Sequence, residues 1–406
     1  MGSSMRGTTT LRAQKPQRSS GPGKKLRMRD PHFAVLGAGL AGVTLSSTLL
    51  ARGFSVSLFE RSHQAGGRMS TRLIRGEDGM HTPCDHGAQY FTARNPEFQE
   101  RVQSWVERGW AVPWLGRIAA DAAGEAGPAD QPFAGIRLLE ANEVRFVGYP
   151  HMMSPVQQEL AGLLEPSPAS AANGAGRLTW LPAHKLLKLR LHESTDKTGT
   201  GTASKPPVLR WMLDFELSHG QAQQSSRAFD ALLLALPRPQ FEALFEDSEA
   251  RPCLPAEWFR DWDTTRMRAC WALMLGYSRP IDLPFDGLFC KDPRASWLCR
   301  NTSKPGRGDS ECWVVHGAPA WSEAHLASDH AWIVEELESV MRGYGAPAAS
   351  VRLLHRWRYA SCEGRAPQDA YWDPERRVGV CGDWLLGGRV EGAWLSARAL
   401  AEKIAL

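Results

Sequence analysis

The chain has 406 residues, 43% hydrophobic and 23% charged, with a formal net charge of +4. Those values suit a globular chain of two domains or one large interrupted one, and exclude a collagenous or wholly disordered protein. Residues 1–29 hold eight Lys or Arg and no acid, so the remainder is slightly acidic and carries no nucleic-acid footprint.

Met1 to Asp30 is rich in Ser, Gly, Pro and basic residues without apolar periodicity, which predicts a disordered basic leader. Its first 29 residues are acid-free, as an organelle-targeting segment is, but they lack an amphipathic helical pattern. Met28 also suits a start codon assigned too far upstream, and the expected location is the cytoplasm. The eight cysteines (84, 253, 270, 290, 299, 312, 362, 381) include no CxxC pair, so reduced thiols are expected.

Phe33 to Glu60 organises the chain. A short apolar strand runs into Gly37-Ala-Gly39-Leu40-Ala41-Gly42. Gly37 permits the tight turn, Gly39 lets backbone approach a pyrophosphate, and Gly42 lets the next helix pack closely. Leu40 to Arg52 reads as that helix, with Gly53 at its C′ position, and its free N–H groups would face the phosphates. A second strand, Ser55 to Phe59, ends at Glu60, placed to accept both ribose hydroxyls of an adenosine. Phe33 to Ala51 carries no charge, but its three glycines and the acid-tipped strand argue against a membrane segment.

Gly66-Gly67-Arg68-Met69-Ser70-Thr71-Arg72 then offers a second phosphate-directed segment, with Arg68 as a bidentate donor. Asp85 to Thr92 reads as an alternating strand-like run in which Gly87 and Ala88 permit a ligand to pass closely; His86 is read as structural or functional. Helices are predicted at 95–110 and 149–164, and a hairpin from strands at 185–192 and 208–217. Loops are expected at 119–132, 165–177 and 194–206. Phe229 to Pro237 suits a buried parallel strand rejoining the first sheet. Short strands near 268–277, 287–290, 296–300 and 311–316 predict a second, largely antiparallel sheet over a helix at 322–344.

At the chain's end, a strand at 377–381 leads to Gly382-Asp383 and a helix starting near Glu391. Asp383 suits the ribityl-phosphate part of a flavin, and the helix start suits its pyrophosphate or pyrimidine carbonyl. The two glycine-rich ends together favour FAD over NAD. The expected cofactor residues are Gly37, Gly39, Leu40, Ala41, Gly42, Glu60, Arg61, Gly67 and Arg68, followed by Gly87, Ala88, Gln89, Asp383, Val390, Glu391, Gly392 and Ala393.

Together with Trp297 to Arg307 and Val314 to Ser322, these motifs resemble the FAD-dependent amine-oxidase superfamily, and more closely its renalase-like bacterial branch. The resemblance implies an α/β (α+β overall) fold with a Rossmann-type FAD-binding domain interleaved with a smaller mixed or antiparallel-sheet substrate domain. Residues 31–94, 150–238 and 353–406 would form the first, and 95–149 and 239–352 the second. It also implies non-covalent FAD and oxidation of 2- or 6-dihydronicotinamide dinucleotides, with oxygen as electron acceptor. Hydride transfer from a dihydropyridine needs no general base, which fits a chain without an evident Ser/His/Asp set or metal-ligand cluster. Alternatives are an oxidase of amines or other small molecules and a flavin-binding protein with little turnover.

Trp271, Trp297, His316 and Trp321 are the expected lining of the substrate pocket, with core packing as the competing reading. Lys304 and Arg307, in a Pro/Gly loop, are expected either to take a substrate's phosphates or to lie solvated. His355 and Trp357 are candidates for the flavin face, and Cys381 reads as buried packing.

Overall fold

Strand His32–Leu36 sits between Ser55–Phe59 and Ala231–Leu234, pairing in parallel with both. The computed structural model describes residues 31–75, 81–121, 133, 135–140, 142–165, 176–194, 208–217, 222–224, 228–246 and 254–404. The expected leader at 1–30 lies outside them, as do nearly all of the loops expected at 119–132, 165–177 and 194–206.

The first sheet has six strands, in the order Tyr371–Asp373, Val378–Val380, Ala231–Leu234, His32–Leu36, Ser55–Phe59, Leu178–Leu181. All pair in parallel except the Tyr371–Asp373 edge. Alternate residues of its central strands enter two cores. Phe33, Val35, Leu233 and Leu58 meet the helices Leu40–Ala51 and Val390–Lys403. Ala34, Leu36, Leu232 and Leu234 meet the hairpin residues Leu189, Leu213 and Phe215, with Trp262 and Trp384. A strand covered on both faces favours apolar side chains throughout, which is why Phe33–Leu36 and Ala231–Leu234 read as continuous apolar runs; Ser57, buried in the neighbouring strand, is satisfied by the His32 ring at 2.9 Å.

The second sheet has seven strands, in the order Val351–Gly364, Thr265–Gly276, Cys312–Gly317, Ala295–Arg300, Gly287–Phe289, Ile118–Asp121, Ile136–Leu138. Its pairs are antiparallel apart from Gly287–Phe289 with Ile118–Asp121. Helix His330–Gly343 buries Ile333, Leu337, Val340 and Met341 against it. Three expectations change here. Ile118–Asp121 is a strand, not the start of a loop. Residues 86–92 form no strand, contributing only the isolated bridge Phe91 to Phe146. Val351–Gly364 belongs to the second sheet, so a boundary at 353 falls inside a strand.

No helix among the described residues is long and apolar enough to cross a membrane.

Candidate functional site

His32–Leu36 is the point where strand order reverses, and ligands of open α/β sheets bind outside the carboxyl ends of strands at such a point. A cleft of about 1210 Å³ opens there, lined from both sheets. Its floor is two glycine segments packed together. Gly66 N–H donates to the Ala38 carbonyl at 3.0 Å, and a Cβ on Gly67 would stand 3.1 Å from the Gly39 Cα. The helix Leu40–Ala51 has Gly39 as its N-cap and no side-chain cap, and Val390–Lys403 is likewise uncapped at Arg389. Gly39, Leu40, Ala41, Arg389, Val390 and Ala393 all line the cleft. Two helix starts with uncapped N–H donors therefore face one space, an arrangement that attracts phosphate or carbonyl oxygen.

Glu60 is fixed at the cleft edge. One carboxylate oxygen accepts the Ala38 N–H at 2.9 Å, and the other accepts the Ser62 N–H at 2.9 Å and hydroxyl at 2.8 Å. The oxygen that accepts only the Ala38 N–H retains a lone pair for a ribose hydroxyl. Across the cleft Arg68 is ion-paired with Asp383, so the two residues expected to reach different parts of a cofactor brace each other. Gly87 lies under this arginine: a Cβ there would stand 2.0 Å from the Arg68 carbonyl oxygen, and the Ala88 N–H donates to that oxygen at 2.8 Å. Gly37, Arg61 and Gln89 line the cleft as well. An extended dinucleotide cofactor fits these donors, bare glycines and the ribose acceptor; no group of side chains able to hold a metal occurs among the described residues.

Three expected cofactor residues do not line the cleft. Gly42 packs against the Gly37 carbonyl, where a Cβ would stand at 1.8 Å. Glu391 accepts the N–H groups of Arg94 and Asn95, both at 2.7 Å, so its carboxylate ties the Pro96–Glu107 helix to the last one. Gly392 packs on Leu386, whose Cβ would lie 3.0 Å from a Cβ added to the glycine.

Of the expected substrate residues, His316 lines the cleft and the others do not. Trp271 is buried on the opposite face of its strand, because its neighbour Ala272 is the residue registered with His316. Its indole N–H donates to the His325 carbonyl at 3.2 Å. Trp297 is buried against Tyr90 and Phe289, and Trp321 stacks on Trp332 at 5.9 Å.

Lys304 and Arg307 are a larger correction. They are 1% and 0% exposed, and both pair with the fully buried Asp85, at 3.3 Å and 2.7 Å. Lys304 also donates to Gln89 Oε1 at 3.1 Å, and Arg307 to the Gly148, Pro150 and Pro305 carbonyls. They form a structural knot and reach neither solvent nor the cleft.

The wall above Gly87 is aromatic. His86 stacks on Trp357 with centroids 5.0 Å apart and meets His355 edge-on at 4.7 Å. Its carbonyl accepts the Trp357 indole N–H at 2.9 Å and faces His316 Nε2 at 3.2 Å. Burial depresses all three imidazoles. His86 falls to about 3, helped by His355 and Arg72. His316 falls to about 4, and His355 also to about 4 with help from Arg72 and Arg61. The wall is therefore neutral at pH 7, and the buried His86 Nδ1 has no partner within the protein. Because the folded values lie below the ordinary 6.5, the unfolded chain binds more protons once pH drops under about 6.5. Stability is expected to decline between pH 6.5 and 4, by about 1.4 kcal/mol per pH unit from His86 alone. Urea midpoints across that range check it; a flat profile above pH 4.5 would contradict neutral imidazoles.

Charge completes the site. Arg61, Arg68, Arg72, Lys185, Arg356, Arg358 and Arg389 line the cleft with two carboxylates, Glu60 and Asp383, and Lys185 is offset by Glu216 at 2.6 Å, so the arginines carry the excess. Arg61 and Arg72 are exposed, and among the described residues neither is paired with a carboxylate. The sequence points to Arg61 as a cofactor residue and places Arg72 at the end of the phosphate-directed stretch that begins at Gly66, without assigning it a contact. Nothing local in the sequence marks either as unpaired.

A family model described as "NAD(P)-binding Rossmann-like domain" matches residues 35–108. Lysine-specific histone demethylase 1 homolog 1 of Arabidopsis thaliana is 40% identical over 75 residues, 18% of this chain. The match spans only 9% of that protein. The fold is similar to wild-type putrescine oxidase bound to putrescine, with TM-score 0.60 and 12% identity over 92% of this chain and 99% of that one. It is also similar to an oxidoreductase from Methanosarcina mazei, with TM-score 0.57 and 12% identity over 92% of this chain and 100% of the other. The chain thus carries a Rossmann dinucleotide-binding segment within a fold shared with putrescine oxidase.

Proposed function

We propose that this protein is an FAD-dependent oxidoreductase that oxidises 2- or 6-dihydronicotinamide dinucleotides. The observation that carries the reading is a surplus of positive charge at the cleft beside a neutral aromatic wall. Gly37–Ala41 with Gly67, Glu60 and the start of Val390–Lys403 would hold the FAD pyrophosphate, ribose and ring end. Bound there, FAD would supply an electrophilic N5 for hydride, with oxygen taking the electrons and leaving as hydrogen peroxide. A dihydropyridine that loses hydride regains aromaticity, so the protein needs to position it and exclude water, and neutral His86, His316 and His355 add no competing charge. The pyrophosphate of one cofactor offsets only part of the cationic excess. Arg61 and Arg72 remain for the phosphates of a second dinucleotide, the role first expected of Lys304 and Arg307. A protonated amine would meet the same positive rim, with both cleft carboxylates already engaged, so the amine-oxidase alternative rests on fold likeness and on the 75-residue match to the demethylase homolog, not on the cleft's charge.

Anaerobic mixing with borohydride-reduced NAD tests the reading. Rapid bleaching of the yellow protein by the 2- or 6-dihydro isomers, and none by ordinary NADH, is expected. A yellow protein that they leave unbleached rejects the substrate, and a colourless one that cannot be reconstituted rejects the cofactor. Arg72→Gln and Arg61→Gln are each expected to weaken dinucleotide binding about ten-fold, equal to about 1.4 kcal/mol. Affinity for the uncharged dihydronicotinamide riboside should stay unchanged; equal loss for both ligands would exclude a phosphate role.

A further inference from the structure

The seven described cysteines are all free thiols, and two of them meet. Cys84 Sγ and Cys312 Sγ lie 3.0 Å apart in a buried cluster with Ile74, Met274 and Val314. Both are 0% exposed, and they are 228 residues apart in sequence. Their strands lead to His86 and His316, which line the cleft. Cys84 is followed by Asp85 and His86, at the end of the strand His81–Asp85. Cys312 begins the strand that carries His316, whose Nε2 faces the His86 carbonyl at 3.2 Å. The strand of Cys84 is tied on its own account to the short turn Asn301–Ser303: the Asp85 N–H donates to Asn301 Oδ1 at 3.1 Å, and Asn301 Nδ2 donates to the Pro83 carbonyl at 2.7 Å.

We propose that Cys84 and Cys312 form a dithiol that hydrogen peroxide closes into a disulfide, cross-linking the strand that leads into His86 to the strand that carries His316. A disulfide bond is ~2.05 Å long, so closure asks the sulfurs to approach by about 1 Å. One sulfur takes an oxygen from peroxide as the O–O bond breaks, releasing one water and leaving a sulfenic acid. The second sulfur displaces that oxygen as another water. Two thiols lose two electrons and two protons, and peroxide becomes two waters. Burial raises the Cys84 thiol well above its ordinary range, and the adjoining Cys312 raises it further. Thiolate is scarce, so closure is slow beside that of an exposed redox thiol. Cys299, close enough to Cys312 to feel its charge, is the competing partner.

The test is peptide mapping of the full-length protein after added peroxide, with alkylation in denaturant. Added peroxide makes the outcome independent of the substrate reading above. The expected result is a peptide pair joined through Cys84 and Cys312, reversed by dithiothreitol, with Cys299 still alkylated. The wild-type Tm should rise by several degrees on oxidation and not rise in Cys312→Ser. A Cys299–Cys312 link, sulfinic acids without a link, or full alkylation of both thiols would each overturn the proposal. Mapping the wild-type protein decides the matter even where the serine variant fails to fold.

Discussion

Asp85→Ala is expected to cost about 3–5 kcal/mol of stability, the usual effect of removing one partner from a buried ion pair. Against a typical total of about 5–15 kcal/mol, that leaves little folded protein. Two buried cations, Lys304 and Arg307, depend on one carboxylate. Asp85 also accepts the Thr71 hydroxyl at 2.7 Å and the Met152 N–H at 3.3 Å. Its removal thus strands two charges and loosens three segments around the cleft wall. Asp85→Asn keeps the shape and loses the charge, so it should fall between Ala and the native residue. Burial by itself would raise this carboxyl, but Lys304 and Arg307 outweigh it and hold it at about 2 against an ordinary 3.8. The folded value is the lower one, so its stabilisation is complete above about pH 4 and is lost as pH falls toward 2, on the order of 2 kcal/mol. Alanine costs more than acid because protonated Asp85 still accepts hydrogen bonds. Denaturant melts of the three proteins at pH 7, and of the native one from pH 5 to 2, check both statements. An Asp85→Ala protein as stable as its parent would mean that the cations are hydrated, not buried.

The same knot shows where sequence reading stops. Lys304 and Arg307 stand in a Ser-Lys-Pro-Gly-Arg turn, and a basic turn reads as a surface loop because burying two cations is costly. The partner that makes burial possible lies 219 residues earlier than Lys304. No local pattern links them. Where information is local, the reading holds: the Gly37–Gly42 turn, the Leu40–Ala51 helix and the acid at Glu60 form one contiguous unit. Apolar runs also reveal the buried strands, since a strand covered on both faces has no polar alternation to hide it. The tryptophans mislead for a physical reason. Trp271, Trp297 and Trp321 bury large area wherever they sit, so residue type alone cannot assign them to a cleft. Trp271 is decidable only once its strand register places it opposite His316's face. His355 and Trp357 belong to Val351–Gly364, the longest strand among the described residues, which carries them across from the second sheet. Its mixed, half-buried pattern has no clean alternation, so in sequence it resembles part of the return to the first domain.

With FAD held as proposed, Gly42→Ala is expected to leave the purified protein with less than about a tenth of the parent's flavin, because the added methyl has no room that the fold can yield. Its Cβ would stand 1.8 Å from the Gly37 carbonyl oxygen and 3.4 Å from the Ala235 Cβ. The oxygen belongs to backbone, so no side-chain rotation relieves the contact. Gly37 cannot retreat either: its φ is +96°, and its own Cβ position is 2.6 Å from the Ala235 carbonyl oxygen. The helix must instead tilt away from the first strand, carrying the uncapped N–H groups of Leu40 and Ala41 out of the cleft and breaking the Val43 N–H bond to the Gly39 carbonyl, now 3.1 Å. Gly53→Ala is the matched control. That glycine also has a positive φ, +86°, but nothing lies within 4 Å of its Cβ position. It should cost about 1–2 kcal/mol for the left-handed backbone alone, with flavin content unchanged. Absorbance of released flavin per mole of protein, beside circular dichroism of both variants, separates the two effects. Full flavin content in Gly42→Ala would show that the first helix is not the phosphate seat, and the anion site would then have to rest on the Val390–Lys403 helix alone.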